Sequence, residues 1–259
     1  MADPRWRQIA DDLRQKIEVG KLGAEGKALP SELELREMYD ASRNTVRDAI
    51  KLLVARGLVV TRPGQGTFAV QRIDPFVSPI SIDLSQAGGG VAAFRSEVAA
   101  ARRAATVSEP RVEIQTAKAP IDHELAIASG TTVISRHQQR SIDGTPWSLQ
   151  TSFYPMRLIE KGATRLLQAE DIPEGVLAYV AERLQIVQAG RRDRYSARLP
   201  DRNETEFFSL PEGGGLAAVF EVTQTSFDES GSPFRVTVTT YPADRNQFLI
   251  SIGDVPDDE

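Results

Sequence analysis

The chain has no cysteine and only two histidines among its 259 residues. Without cysteine there is no disulfide and no thiolate metal site. The histidines, His123 and His137, stand in neither a metal-ligand spacing nor a triad-like pattern, so histidine-driven or metal-assisted hydrolysis finds no support. His123 follows Asp122 at an expected helix start, which suits a polar surface position. Apolar runs fall short of the ~20 residues that cross a bilayer. Met1-Ala2-Asp3-Pro4-Arg5 lacks the apolar core of a signal peptide. Gly88-Gly89-Gly90 is not followed by Lys-Ser/Thr, so it is no phosphate loop. The expectation is a cytoplasmic protein, not an enzyme, with no cofactor, no metal and no membrane partner.

What the chain does contain is the balance of a soluble globular protein, 41% hydrophobic and 26% charged, long enough for two domains. The net charge of -5 is unevenly spread. Residues 1–72 carry 13 basic and 10 acidic side chains, a net of +3, which leaves -8 for the rest. A mildly basic head on an acidic body permits phosphate binding at one end.

Periodicity divides the head. Asp3-Pro4 reads as an N-cap followed by proline at the first helical position, and Ile9, Leu13 and Ile17 recur at helical spacing until Gly20. Ser31 with Glu34 three residues on is a capping box that starts a second helix. Ser42 caps a third, which Gly57 stops. Leu58–Arg62 and Thr67–Val70 read as strands around the turn Pro63-Gly64-Gln65-Gly66. The order is helix, helix, turn, helix, hairpin: a winged helix-turn-helix over residues 1–72.

Residues 73–90 read as a linker, part of which, Phe76 to Leu84, has the composition of a strand. Residues 91–259 form the second domain. Helices are expected at Ala92–Ala104, Asp122–Ala128, Met156–Gln168 and Glu174–Leu184. Strands are expected at Arg111–Lys118, Thr132–Ile142, Trp147–Pro155, Arg191–Leu199, Ala217–Asp228 and Ser232–Tyr241. Asp143-Gly144 and Glu229-Ser230-Gly231 mark hairpin turns. The class is α+β with a mixed, largely antiparallel sheet.

The third helix suits the major groove of DNA. Arg43, Arg47 and Lys51 recur every four residues with Asn44 beside them, while Val46, Ile50 and Leu53 face the other way. Arginine pairs with guanine O6 and N7, and asparagine with adenine N6 and N7. Ser31, Ser42, Thr45 and Arg62 have the chemistry of phosphate contacts. Gly64 and Gly66 let a wing approach the duplex, where Gln65 reaches the minor groove. Basic spacing alone also fits a solvated face. The whole helix–turn–helix–wing order points to double-stranded DNA, and so to a nucleoid-associated protein.

These residues carry a resemblance. Leu29-Pro30-Ser31-Glu32, Ser42-Arg43-Asn44-Thr45-Val46-Arg47-Asp48-Ala49, Gly57-Leu58-Val59 and Gly64-Gln65-Gly66-Thr67-Phe68 resemble the DNA-binding domain of GntR-type regulators, over nearly all of residues 5–70. The resemblance implies DNA contacts by Arg43, Arg47 and the wing at Gly64. The family usually has arginine after the Pro-Ser-Glu motif. This chain has Leu33 there, which removes one contact.

The body resembles the UTRA ligand-binding domain of the HutC-type branch. The likeness rests on Arg140, Asp143-Gly144-Thr145-Pro146 and Ser152-Phe153-Tyr154-Pro155, on Gly175–Leu184, and on Phe227–Pro233 with Tyr241 and Asp244-Arg245. It implies a chorismate-lyase-like fold and a small effector that changes operator affinity. By motif position the effector residues are Arg140, Gln150, Val176, Arg235 and Tyr241. Arg140 and Arg235 suit a carboxylate or phosphate. Sugar-phosphate-sensing relatives carry Glu in place of Gln150 and Arg235, and Arg in place of Gln138, so the effector here is expected to be acidic or less polar. The leading expectation is a homodimeric repressor on a near-palindromic operator, released by its effector. Two other readings stay open, a body that is only a dimerisation scaffold and a lyase-like enzyme with a DNA-binding head.

Overall fold

A computed structural model describes residues 3–23, 27–70, 75–80, 90–210 and 217–252. The chain divides into two compact units, residues 1–74 with 201–217, and residues 75–200 with 218–259.

In the first unit α1 (Arg5–Glu18), α2 (Glu32–Tyr39) and α3 (Arg43–Ala55) precede a hairpin of β1 (Val59–Arg62) and β2 (Gly66–Ala69). Pro4, not Asp3, is the N-cap of α1, and it makes no side-chain capping bond. Proline supplies the required φ without offering a side-chain acceptor. Ile9, Leu13, Leu35, Val46, Ala49, Leu53 and Val59 close one core, with Val46, Ala49 and Leu53 wholly buried on a single stripe of α3. Removing the Leu53 side chain to Ala would cost about 2–5 kcal/mol. Leu29 N–H donates to Thr67 O at 2.7 Å, which ties the segment before α2 to the wing.

The second unit begins with β3 (Phe76–Pro79), α4 (Val91–Ala100), β4 (Ala105–Val107), β5 (Arg111–Thr116) and α5 (Ile121–Glu124). The long hairpin β6 (Thr132–Ile142) and β7 (Thr145–Pro155) turns at Asp143 and Gly144, both at positive φ. Next come α6 (Arg157–Glu160), a 3-10 turn at Thr164–Leu167, α7 (Val176–Leu184) and β8 (Gly190–Arg198). The short α8 (Arg202–Phe207) falls in the first compact unit. Asp201 and Glu204 close a capping box at its start. The chain then returns through β9 (Val219–Phe227), β10 (Pro233–Pro242) and β11 (Asn246–Leu249).

The seven-stranded sheet runs β4-β6-β7-β10-β9-β8, with β5 also on β6, and its pairings are antiparallel. Such a sheet needs apolar cover on its buried face. One cover joins Leu158, Leu166, Ile172 and Val180 to Tyr154 and Phe234 of the strands.

The structure differs from the sequence expectations in several further places. Met156–Gln168 is not one helix: Gly162, at φ 112°, separates α6 from the 3-10 turn. Within the expected linker 73–90, the strand composition of Phe76 to Leu84 is matched over Phe76–Pro79, which pairs in parallel with β11, and Phe76 is buried. Residues 71–74 and 81–89 of that linker, Gly88 and Gly89 included, lie outside the described residues. Residues 201–217, expected in the second domain, group with the first unit.

Candidate functional site

On the head, Ser42 caps α3 by accepting from Thr45 N at 3.2 Å, and the two hydroxyls lie 2.8 Å apart. The cap fixes the start of α3, where uncompensated amides and short polar side chains suit an anion. Arg43, Asn44, Arg47 and Lys51 are exposed along the stripe opposite the buried one.

The capping box of α2 is closed. Ser31 accepts from Glu34 N at 3.3 Å, and Glu34 accepts from Ser31 N at 2.7 Å. The next residue, Glu32, reaches across to α3. Arg47 Nε donates to both its oxygens at 3.0 and 3.1 Å, and Arg43 Nε donates to Oε2 at 3.4 Å. The bond from Arg47 holds the Glu32 carboxyl below the usual carboxylate range. Lys51 pairs with Asp48 at 3.3 Å. In the wing, Gly64 and Gly66 take φ of 71° and 117°, Gln65 is exposed, and the Arg62 guanidinium lies 4.8 Å from the Phe68 ring centre. The side chains named for DNA contact thus fall on the starts of α2 and α3, the exposed side of α3 and the wing.

Among the described residues, two cavities of the body share Gly90 and Gln150. The larger, about 650 Å³, is lined by Gln150, Val176 and Arg235, with Arg136, Gln138 and Ser152 beside them. The first turn of α7 forms part of its wall. Gly175, at φ 84°, is the N-cap of α7 and makes no side-chain capping bond. Such a helix start is a ready anion site. Arg235 is 5% exposed, and its Nε has no hydrogen-bond partner among the described residues. A buried cation without a full set of acceptors is costly, and an anionic ligand relieves that cost.

Arg136 was not among the sequence candidates. It is buried and donates to the carbonyls of Leu166, Gln168 and Glu170 at 3.0, 2.6 and 2.6 Å. It holds the loop that leads into α7. Those acceptors are backbone atoms some thirty residues away, so no side-chain motif announces them.

The smaller cavity, about 110 Å³, holds Arg140 and Tyr241. The Arg140 guanidinium lies 5.0 Å from the Phe94 ring centre. Burial lowers the pKa of Arg140 and pushes the Tyr241 phenol up, with Arg140 opposing the second effect. Burial likewise raises the Glu97 carboxyl, which Arg140 partly offsets. Tyr241 also meets Phe248 edge-on at 5.2 Å, so the ring is part of an aromatic wall. The five residues assigned to one ligand thus divide between two cavities joined at Gln150. Among the described residues no acidic and histidine cluster is placed to hold a metal ion, and no helix is long and apolar enough to cross a membrane.

Residues 6–69 match the family described as "Bacterial regulatory proteins, gntR family", and residues 104–247 match "UTRA domain". An HTH-type transcriptional regulator of Rhizobium meliloti strain 1021 is 29% identical over 250 residues, 95% of this chain and 93% of that one. The HTH-type transcriptional regulator GgaR of Escherichia coli K12 is 24% identical over 248 residues, 95% and 90% of the two chains. A crystal structure of a GntR-family transcriptional regulator superposes with a TM-score of 0.67 at 26% identity, covering 98% of this chain and 99% of that one.

Proposed function

The chain belongs to the GntR-family DNA-binding transcriptional regulators that carry a UTRA domain, and on that premise we propose a homodimeric repressor of the HutC-type branch that an anionic small molecule releases from a near-palindromic operator. Its relatives are regulators and not enzymes, which sets aside the lyase reading. Arg43, Asn44 and Arg47 read base edges. Ser31, Ser42, Thr45, Lys51 and Arg62 hold phosphates, and Gly64-Gln65-Gly66 enters the neighbouring minor groove. Two heads related by a two-fold axis match two half-sites.

The effector occupies the larger cavity. Arg235 carries this reading: a buried guanidinium with an unpartnered Nε on the wall of a 650 Å³ cavity beside the start of α7, whose N-cap makes no side-chain bond. Together they suit a carboxylate or phosphate. Gln150 and Val176 line the same space, and Arg140 and Tyr241 close the adjoining one. An amino-sugar phosphate is disfavoured, because Gln150 and Arg235 offer no carboxylate to its hydroxyl and amide groups.

The test is fluorescence anisotropy of the full chain on an operator selected from random duplexes, repeated with a panel of small carboxylates and phosphates. A true effector dissociates the complex. At about 100 times its dissociation constant it also adds about 2.7 kcal/mol to the stability of the body. If no compound in a broad panel shifts either signal, the body is a dimerisation scaffold.

A further inference from the structure

We propose that Glu32 is the residue that sets base specificity in this head, by holding Arg43 and Arg47 side-on so that their guanidinium ends face the duplex. This rests on the reading that those two arginines meet DNA. The carboxylate lies at the start of α2, next to the capping residue Ser31, so the helix cap determines where it stands. It crosses to α3 and accepts from Nε of Arg47 at 3.0 and 3.1 Å and from Nε of Arg43 at 3.4 Å.

Which nitrogen is engaged matters. A guanidinium is planar and presents a side edge through Nε and an end edge through its two Nη atoms. Glu32 takes Nε from both arginines. The end edges are left for other acceptors, and that edge matches guanine O6 and N7. An arginine on an exposed helix face otherwise samples many rotamers, and ordering it on binding costs side-chain entropy. The bond to Glu32 is made before DNA arrives, so this cost is largely absent at the operator.

The charge matters as well. A carboxylate on a face that meets phosphates weakens binding to every duplex alike. It is tolerated at an operator, where two end-on arginines find guanines, and opposes attachment where they do not. One residue thus raises operator affinity relative to random DNA from both directions. Leu33, the next residue, carries no charge that would offset this effect.

The experiment uses the full chain and needs no known operator. Glu32→Gln, Glu32→Ala, Arg47→Ala and unaltered protein each select duplexes from one random pool. Affinities are then measured on the duplex selected by the unaltered protein and on a scrambled duplex. Glu32→Ala is expected to weaken guanine preference at the arginine positions. The ratio of selected to scrambled affinity should fall about tenfold, the equivalent of ~1.4 kcal/mol, while scrambled-duplex affinity stays level or rises. Glu32→Gln, which keeps one acceptor, should fall in between. An unchanged ratio, or equal tightening on both duplexes, overturns the proposal and leaves Glu32 a plain competitor of DNA. If Arg47→Ala also leaves the selected sequence unchanged, the underlying assignment of the recognition helix fails instead. Helicity and melting temperature of each variant, measured alongside, separate a specificity change from a misfolded head.

Discussion

Tyr39 donates its hydroxyl to Asp12 Oδ2 at 2.5 Å, which ties the last turn of α2 to α1. Lys16 reaches the same oxygen at 2.8 Å and lies 5.1 Å from the Tyr39 ring centre. This cluster sits at the other end of α2 from Glu32 and fixes the angle at which the helix meets its neighbours. Tyr39→Phe removes the bond to Asp12 and the one the hydroxyl accepts from Lys16 Nζ at 3.2 Å, and should destabilise the head by about 0.5–1.5 kcal/mol for each. Faster hydrogen exchange of the α1 and α2 amides measures it.

The same cluster gives a pH dependence. Lys16, and then Tyr39, lowers the Asp12 pKa. The unfolded carboxyl titrates near ~3.9. Stabilisation by the carboxylate is therefore complete above that pH and is lost as pH falls through the lower, folded value. Asp12→Asn should flatten the acid limb of an unfolding curve below about pH 4. An acid titration followed by circular dichroism would show the same limb in both proteins if the cluster contributes nothing.

Arg43→Ala and Arg47→Ala should each weaken operator binding by roughly 1–3 kcal/mol while the head stays folded. Both side chains are exposed and take no part in the core of α3. Anisotropy on the selected operator reads the loss, and undiminished binding by both variants would remove α3 as the recognition helix.

Leu33 is 59% exposed near the start of α2. Leu33→Arg should be accepted by the fold and restore a phosphate contact. The expected result is tighter binding, with a salt dependence steeper by about one phosphate. A salt titration that gives identical slopes would mean that this position does not face the backbone.

Arg235→Met replaces a buried, incompletely paired cation with an apolar chain of similar length. The unliganded body should melt at the same temperature or higher, because the charge is no longer held away from water. The same variant should lose the stabilisation by anionic effectors. A marked fall in melting temperature without ligand would give Arg235 a structural role instead.

Much of the head was legible because its signals are local. The Ser31–Glu34 capping box, the Ser42 cap, the buried stripe of α3 and the glycine turn of the wing involve residues within a helical turn or a hairpin of one another. The β6–β7 hairpin was legible for the same reason, since Asp143-Gly144 accepts positive φ at both turn positions. The helix expected over Met156–Gln168 failed because apolar spacing continues across Gly162, while the backbone there turns out of the helical region. Strand β11 left little trace, because four residues at a parallel edge show no clear alternation.

The winged helix-turn-helix of the opening residues, the exposed basic stripe of α3 and the α+β character of the body follow from the sequence alone. Caps, periods and turns are decided over distances of a few residues, where backbone sterics and short-range hydrogen bonds dominate. The tertiary structure alone decided that Glu32 grips Arg47, that Arg136 holds the loop before α7, and that Arg235 and Arg140 stand in different cavities. Each of these depends on elements far apart in the chain packing at one distance and angle. An arginine in a sequence carries its charge, but its partner is set by the fold that surrounds it.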